Sequence, residues 1–270
     1  MLKGKVVVIT GASSGIGKAT AVECAKNRAD VVLLARNEEK LKEVALNLEK
    51  YNVKTLVVKA DISRKKEVAE AATKILETFH TIDILINNAG VGIYGKFADK
   101  NISDMEQVVA TNLFGVIYMT KAVLPVMIKN GRGHIVNIAS VAGKIGLEGL
   151  SDYCASKFAL TGLSESLHQE LKPLGISVSV VHPGYTNTNF DKNPSFQNRK
   201  TPSPLKPLQP EDVSAVIMEA LKDKGFEYFV PKLYGQLMKG KLLFPGTFMK
   251  IQKWRSNKKQ GSKQEEILHQ

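Results

Sequence analysis

Cysteine is nearly absent from this chain: two residues in 270, Cys24 and Cys154. They stand far apart and in no metal-ligand spacing, which excludes a disulfide framework and gives no reason to expect a bound metal. A reducing, cytoplasmic setting is the expectation. Little precedes the first strand-like run, which begins at Lys5, so a cleaved leader is not expected. No unbroken run of about 18 apolar residues occurs, so no segment reads as a membrane span. Acidic side chains are scarce beside basic ones, 26 against 38, for a formal net charge of +12. That shortage is local. From Lys232 to Lys263 there are nine basic residues and no acidic one.

What is present is a regular alternation. "KVVVIT" from Lys5, "DVVLLA" from Asp30, "TLVVKAD" from Thr55, "IDILINNAG" from Ile82, "HIVNIAS" from His134 and "ISVSVVHPG" from Ile176 are short and apolar on both faces. Such runs read as buried strands. Between them lie stretches with helical spacing: Gly17 to Arg28, Glu38 to Lys50, Lys65 to Phe79, about Ser103 to Lys129, and about Ser151 to Leu171. "PEDVSAVIMEALKD" from Pro210 opens like a capped helix, and "FEYFVP" from Phe226 reads as a last strand. Strand–helix alternation predicts an α/β fold, a doubly wound, Rossmann-like parallel sheet of about seven strands with helices on both faces. Residues 1–231 then form one dinucleotide-binding catalytic domain, and 232–270 a basic amphipathic tail. Ligands of such sheets bind beyond the carboxyl ends of the strands, at the switch point, so strand-end residues are the ones to read for chemistry.

The first strand ends in "TGASSGIG", Thr10 to Gly17. Gly11, Gly15 and Gly17 between a strand and a helix suit a turn whose backbone approaches a pyrophosphate and whose helix N-terminus offers oriented N–H groups. The spacing is G-x-x-x-G-x-G, not the general G-x-G-x-x-G. At the end of the second strand stand Ala35 and Arg36, where an acidic residue would bond the ribose 2′-hydroxyl of NAD. A guanidinium grips a 2′-phosphate instead, which points to NADP(H). Ser13 and Lys18 are further candidates for that phosphate; a solvated loop charge is the alternative for Arg36. In "DYCASKFAL", Tyr153 and Lys157 sit four apart, one above the other on a helix face.

With "NNAG" from Asn87, Asn112, Ser140 and "HPG" from His182, these motifs resemble the short-chain dehydrogenase/reductases over about Lys5 to Pro231. The resemblance implies hydride transfer between a nicotinamide and a small-molecule carbonyl or alcohol. It makes Tyr153 the proton donor or acceptor, with Lys157 lowering its pKa and bonding the nicotinamide ribose. Ser140 orients the substrate oxygen, and Asn112 holds a water that relays protons from Lys157. Cofactor contacts are implied for Gly11, Ser13, Ser14, Gly15, Ile16, Gly17, Arg36, Tyr153 and Lys157. Asp61 and Ile62 are placed at the adenine, Asn87, Ala89 and Gly90 along its ribose, and Pro183, Gly184, Thr186 and Thr188 at the nicotinamide end. Asn88 is read both as a cofactor contact and as a brace of the sheet. His182 and Cys154 read as a packed imidazole and a packed thiol. The family implies a homodimer or homotetramer. A catalytically silent NADP(H) sensor on the same fold is the alternative function.

Two segments depart from the family pattern. Tyr185 to Gln209, where the family places its substrate lid, holds four prolines (Pro194, Pro202, Pro204 and Pro207) and the basic residues Lys192, Arg199, Lys200 and Lys206. The tail mixes lysines with apolar residues. Leu233, Leu237 and Phe244 fall on one helical face, Phe248, Ile251 and Trp254 follow at spacing three, and Gly240, Pro245 and Gly246 are expected to break the helix. Such composition suits an anionic membrane surface. Packing against a subunit is the alternative, and the interleaved apolar residues argue against nucleic acid.

Overall fold

Seven strands form one parallel sheet: β1 Val6–Thr10, β2 Asp30–Ala35, β3 Thr55–Lys59, β4 Ile84–Asn87, β5 Gly133–Ile138, β6 Ile176–Pro183 and β7 Glu227–Val230. The computed structural model describes residues 2–198, 206–246 and 250. Parallel neighbours cannot be joined by tight turns, so each crossover carries helix. These are α1 Gly15–Lys26, α2 Glu38–Leu48, α3 Lys65–Phe79, α4 Ile102–Val109, α5 Gly115–Lys129, α6 Ser151–Leu171 and α7 Pro210–Asp223. The strand order is β3-β2-β1-β4-β5-β6-β7. The chain winds outward from β1 to β3, returns to the other side of β1, and winds out again to β7. The switch point therefore lies between the ends of β1 and β4.

The strands are apolar on both faces because both are covered. Val7, Ile9, Val31 and Leu33 share a cluster with Ala21 and Cys24 of α1 and Val213 and Ile217 of α7. Val6, Val8, Val32 and Leu34 alternate with them and meet Val68 and Ile75 of α3 and Met119, Val123 and Met127 of α5. A one-residue register slip would exchange the two sets, so the period of two fixes the pairing.

The stretch predicted as one helix from Ser103 to Lys129 is interrupted. A π-helical turn, Ala110–Phe114, separates α4 from α5 and contains Asn112. Insertions of this kind are frequent at functional sites. Gly115 follows because a Cβ there would lie 2.6 Å from Ile62 Cδ1. The whole run from Ile102 to Lys129 is long and apolar enough to cross a bilayer by length and composition, with a window mean hydropathy of 1.4. That apolarity was not visible as an unbroken run, and here Val116, Met119, Val123 and Met127 spend it on covering the sheet.

The chain divides into two units, Met1–Val230 and Pro231–Gln270. The second contains α8, Leu233–Leu243. Gly240 does not break this helix: the Phe244 N–H donates to its carbonyl at 2.9 Å, and the helix ends only at Phe244. Phe244 has φ −133°, so it leaves the helical face that it was expected to share with Leu233 and Leu237. Phe248, Ile251 and Trp254 lie outside the described residues, as do Arg199, Lys200, Pro202 and Pro204.

Candidate active site

The glycine turn is built by close approach. Gly11 has φ +67°, a conformation costly for side-chain-bearing residues, and a Cβ there would lie 2.8 Å from the Ala89 Cα. At Gly17 a Cβ would lie 2.3 Å from the Gly11 carbonyl oxygen. The turn is tied to β4 by Thr10, whose Oγ1 accepts from the N–H groups of Asn88 and Ala89, both at 3.0 Å. The Asn88 amide donates to the carbonyls of Thr10 and Gly11 at 2.9 and 3.3 Å. Asn88 is thus the brace of the turn. Asn87 does not lie along a ribose: it is fully buried and donates to Asn137 Oδ1 at 2.9 Å. Strand alternation turns its side chain into the sheet cover and leaves Ala89 and Gly90 at the opening.

Ser14 caps α1 with no side-chain hydrogen bond, and the first turn carries no acidic residue. The helix N–H groups and the hydroxyls of Ser13 and Ser14 are left to face an anion, which fits a pyrophosphate. Gly15 closes against Thr188, whose Cγ2 would be 3.0 Å from a Cβ there. The segment after β6 therefore returns to the glycine turn. Gly184 N–H donates to Val230 O at 2.8 Å, Thr186 Oγ1 to Gly184 O at 3.0 Å, and Thr188 caps the next turn by accepting from Phe190 N–H at 3.2 Å. Arg36 is exposed at the end of β2, past half-buried Ala35. Asp61 accepts from both the N–H and the hydroxyl of Ser63, at 3.0 and 2.7 Å. The Ile62 side chain is in the core beneath Gly115, so this turn offers a ligand the Asp61 carboxylate and its backbone.

Asn112, Ser140, Tyr153 and Lys157 converge beside Gly90. Asn112 is fully buried; its Oδ1 accepts from Val91 N–H at 2.8 Å, and its Nδ2 donates to Val91 O and Ser156 Oγ at 2.9 and 3.1 Å. Its amide is thereby spent on holding the loop after β4 to α6. Any relay water would have to use the backbone that the π-turn loosens. Lys157 Nζ donates to Ile138 O at 2.8 Å, at the end of β5. The packing is close enough that a Cβ on Gly143 would lie 2.7 Å from the Lys157 carbonyl oxygen. Ser140 Oγ accepts from Ala142 N–H at 3.1 Å, which fixes its rotamer, and Ser140 is hydrogen-bonded with the Tyr153 hydroxyl.

The electrostatics correct one expectation. Lys157 is not among the groups that shift the Tyr153 phenol. Burial pushes the phenol up to about 12, and the Ser140 hydrogen bond pulls it only part of the way back. Burial also brings Lys157 down to about 8. Both shifts have one cause, since a low-dielectric site disfavours each charged form. The ammonium is aimed at Ile138 O, and its Nζ stays 5.8 Å from the centre of the phenol ring. Tyr153 accordingly carries its proton at neutral pH.

Several neighbours gave no signal in the sequence. Tyr153, Phe190, Phe196 and Tyr94 make a chain of aromatic rings with centroid separations of 5.4, 5.5 and 6.0 Å. Leu147, Leu150 and Cys154 complete this apolar cluster. The Cys154 thiol is raised by burial and accepts from Leu147 N–H, a packing role. Lys100 forms a buried ion pair with Asp152, next to Tyr153, and ties the loop before α4 to the start of α6. These residues come from three separate segments, and only the fold brings them together.

Burying Lys157 costs stability. Its folded value lies below its ordinary 10.5, so the unfolded chain binds more protons between pH 8 and 10.5; the penalty is full below pH 8, about 3 kcal/mol, and is relieved as pH rises. Lys157→Met is expected to melt at or above the wild-type Tm at pH 7 without cofactor, with the difference shrinking by pH 9.5. Calorimetry checks this; a variant several degrees less stable at pH 7 would contradict it.

The comparisons with known proteins agree with this geometry. The family model described as short chain dehydrogenase matches residues 5–198. An NADP-dependent 3-hydroxy acid dehydrogenase of Schizosaccharomyces pombe is 39% identical over 82% of this chain and 88% of its own length. A 3-ketodihydrosphingosine reductase of Bos taurus is 37% identical over 76% of this chain and 61% of its own length. The crystal structure of a short-chain dehydrogenase/reductase from Burkholderia phymatum in complex with NAD superposes with a TM-score of 0.82, at 27% identity, covering 90% of this chain and 94% of that one. A seven-stranded parallel sheet, a glycine turn at its switch point and a Ser–Tyr–Lys cluster at the strand ends accompany these matches, and the chain belongs to the short-chain dehydrogenase/reductase family of oxidoreductases.

Proposed function

We propose that this oxidoreductase is NADP(H)-linked and interconverts a carbonyl and a secondary alcohol on an apolar, lipid-type substrate. The observation that carries the reading is the Tyr153 hydroxyl, bonded to Ser140 and flanked by buried Lys157, beneath a roof of aromatic rings. When bound, the nicotinamide supplies or accepts the hydride. Gly11, Ser13, Ser14, Gly15, Ile16 and Gly17 would hold its pyrophosphate, Arg36 the 2′-phosphate, Asp61 and the backbone of Ile62 the adenine end, Ala89 and Gly90 the adenine ribose, with Asn88 bracing the turn. Pro183, Gly184, Thr186 and Thr188 would flank the nicotinamide, and Lys157 its ribose. Ser140 orients the carbonyl oxygen and Tyr153 protonates it. Burial keeps the phenol protonated at neutral pH, the state from which it can donate to a carbonyl oxygen. Asn112 fixes the wall through which Lys157 would exchange its proton.

The aromatic roof supports an apolar substrate. The name of the bovine relative, a ketosphingosine reductase, supports the same class. Cofactor choice rests on Arg36 following Ala35, on a relative named as NADP-dependent, and against a structural neighbour that holds NAD.

A second reading concerns location. α8 and the residue after it expose Leu233, Leu237, Leu242, Leu243 and Phe244 among Lys232, Lys239 and Lys241. Apolar side chains interleaved with lysines fit the surface of an anionic membrane, each nearby charge contributing about 1 kcal/mol.

Three outcomes are expected. Tyr153→Phe should lose at least about 100-fold in kcat for the best ketone of a chain-length panel while NADPH binding persists, because general acid catalysis contributes 10²–10⁴-fold. Retention of more than a tenth of kcat would remove Tyr153 from the mechanism, and NADPH binding with no ketone turned over by wild type would favour the silent sensor. Arg36→Asp should move kcat/KM from NADPH toward NADH; an unchanged ratio contradicts the cofactor assignment. Finally, the full chain should pellet with phosphatidylserine-containing vesicles at low salt, and Leu242→Ser/Leu243→Ser should weaken pelleting. A wild-type chain left in the supernatant ends the membrane reading.

A further inference from the structure

His182 stands at the end of β6 with its side chain fully buried. Its Nδ1 lies 3.0 Å from the Ser140 carbonyl oxygen and its Nε2 3.0 Å from Glu227 Oε1. Both partners are acceptors. The carbonyl has no proton to give, and Glu227 is held at about 2, chiefly by its hydrogen bond with His182 and also by Lys144. The charged groups around the ring are Glu227 from β7 and Lys144 from the turn after β5, and Phe229 stacks on it at 4.8 Å.

The contacts close a circuit. Lys144 Nζ reaches Glu227 Oε1 at 2.7 Å, and Lys144 follows the single 3₁₀ turn Val141–Gly143 that Ser140 caps. The Gly143 N–H donates to the same Ser140 carbonyl at 2.8 Å, so both lone pairs of that oxygen are occupied. The turn that presents the Ser140 hydroxyl is thus held at its first residue by His182 and just past its last by Glu227.

We propose that His182, locked by Glu227 and Lys144, positions Ser140 for the reaction. It acts through Ser140 rather than on the substrate. The inference rests on the reading of Ser140 as the group that orients the carbonyl.

The test is a double-mutant cycle read on kcat and on the KM for NADPH. His182→Gln should lower kcat about tenfold with the KM for NADPH within twofold of wild type, and should cost nothing further in a Ser140→Ala background. Glu227→Gln should lower kcat in the same direction. His182→Gln at wild-type kcat, or a further tenfold loss on top of Ser140→Ala, overturns the proposal. Ser140→Ala at wild-type turnover would instead defeat the reading of Ser140 itself.

Discussion

The ammonium of Lys157, buried at the end of β5 and donating to Ile138 O, is the constraint around which this site is arranged. A charge in that position is costly to desolvate, and nothing in the fold alone requires it. It is kept in place by α6, which packs against the turn after β5 so closely that Gly143 has no room for a Cβ. The same helix carries Tyr153 one turn earlier and Ser156, which is bonded to Asn112. The π-turn in the helix before β5 sets Asn112 against α6. One expensive residue thus coincides with a helix, a turn and an irregularity placed to serve it. Perturbed ionisations gathered at strand ends in this way are typical of functional sites.

Much of the fold was legible because the sheet is parallel. Strands buried on both faces appear as continuous apolar runs, and Asp30–Ala35, Lys65–Phe79, Ser151–Leu171 and Pro210–Asp223 match their elements end to end. The π-turn was not legible, since Ala110 to Phe114 has ordinary helical composition and the interruption comes from packing against Ile62 and α6. Nor was the continuity of α8 through Gly240, because one glycine costs about 1 kcal/mol in a helix and does not end it.

The site divides along the same line. Gly11, Gly15, Gly17, Ser140, Tyr153 and Lys157 are local features whose spacing announces them. Asn87 and Asn88 are adjacent, and only the strand's alternation decides which faces the core and which the glycine turn. The ionisation of Tyr153 was misread because spacing reveals that Lys157 is near but not where its ammonium points. The aromatic roof of Tyr94, Phe190 and Phe196, and the circuit through His182, Glu227 and Lys144, join residues from distant segments. Chemistry of this kind is written in the topology and has no sequence motif.

The proposal of a lipid-type substrate draws on two observations, the aromatic cluster beside Tyr153 on one unit and the lysines among leucines on the other. Each stands on its own residues. The central claim is that this chain transfers hydride to a carbonyl carbon and does more than bind the nucleotide. The most direct measurement supplies NADPH carrying deuterium at C4, in its two stereochemical forms, with long-chain ketones, and follows the label by mass spectrometry. Deuterium should arrive on the carbinol carbon from one form only, with a primary isotope effect on kcat/KM wherever chemistry limits the rate. Tight NADPH binding with no label transferred to any ketone would contradict the account.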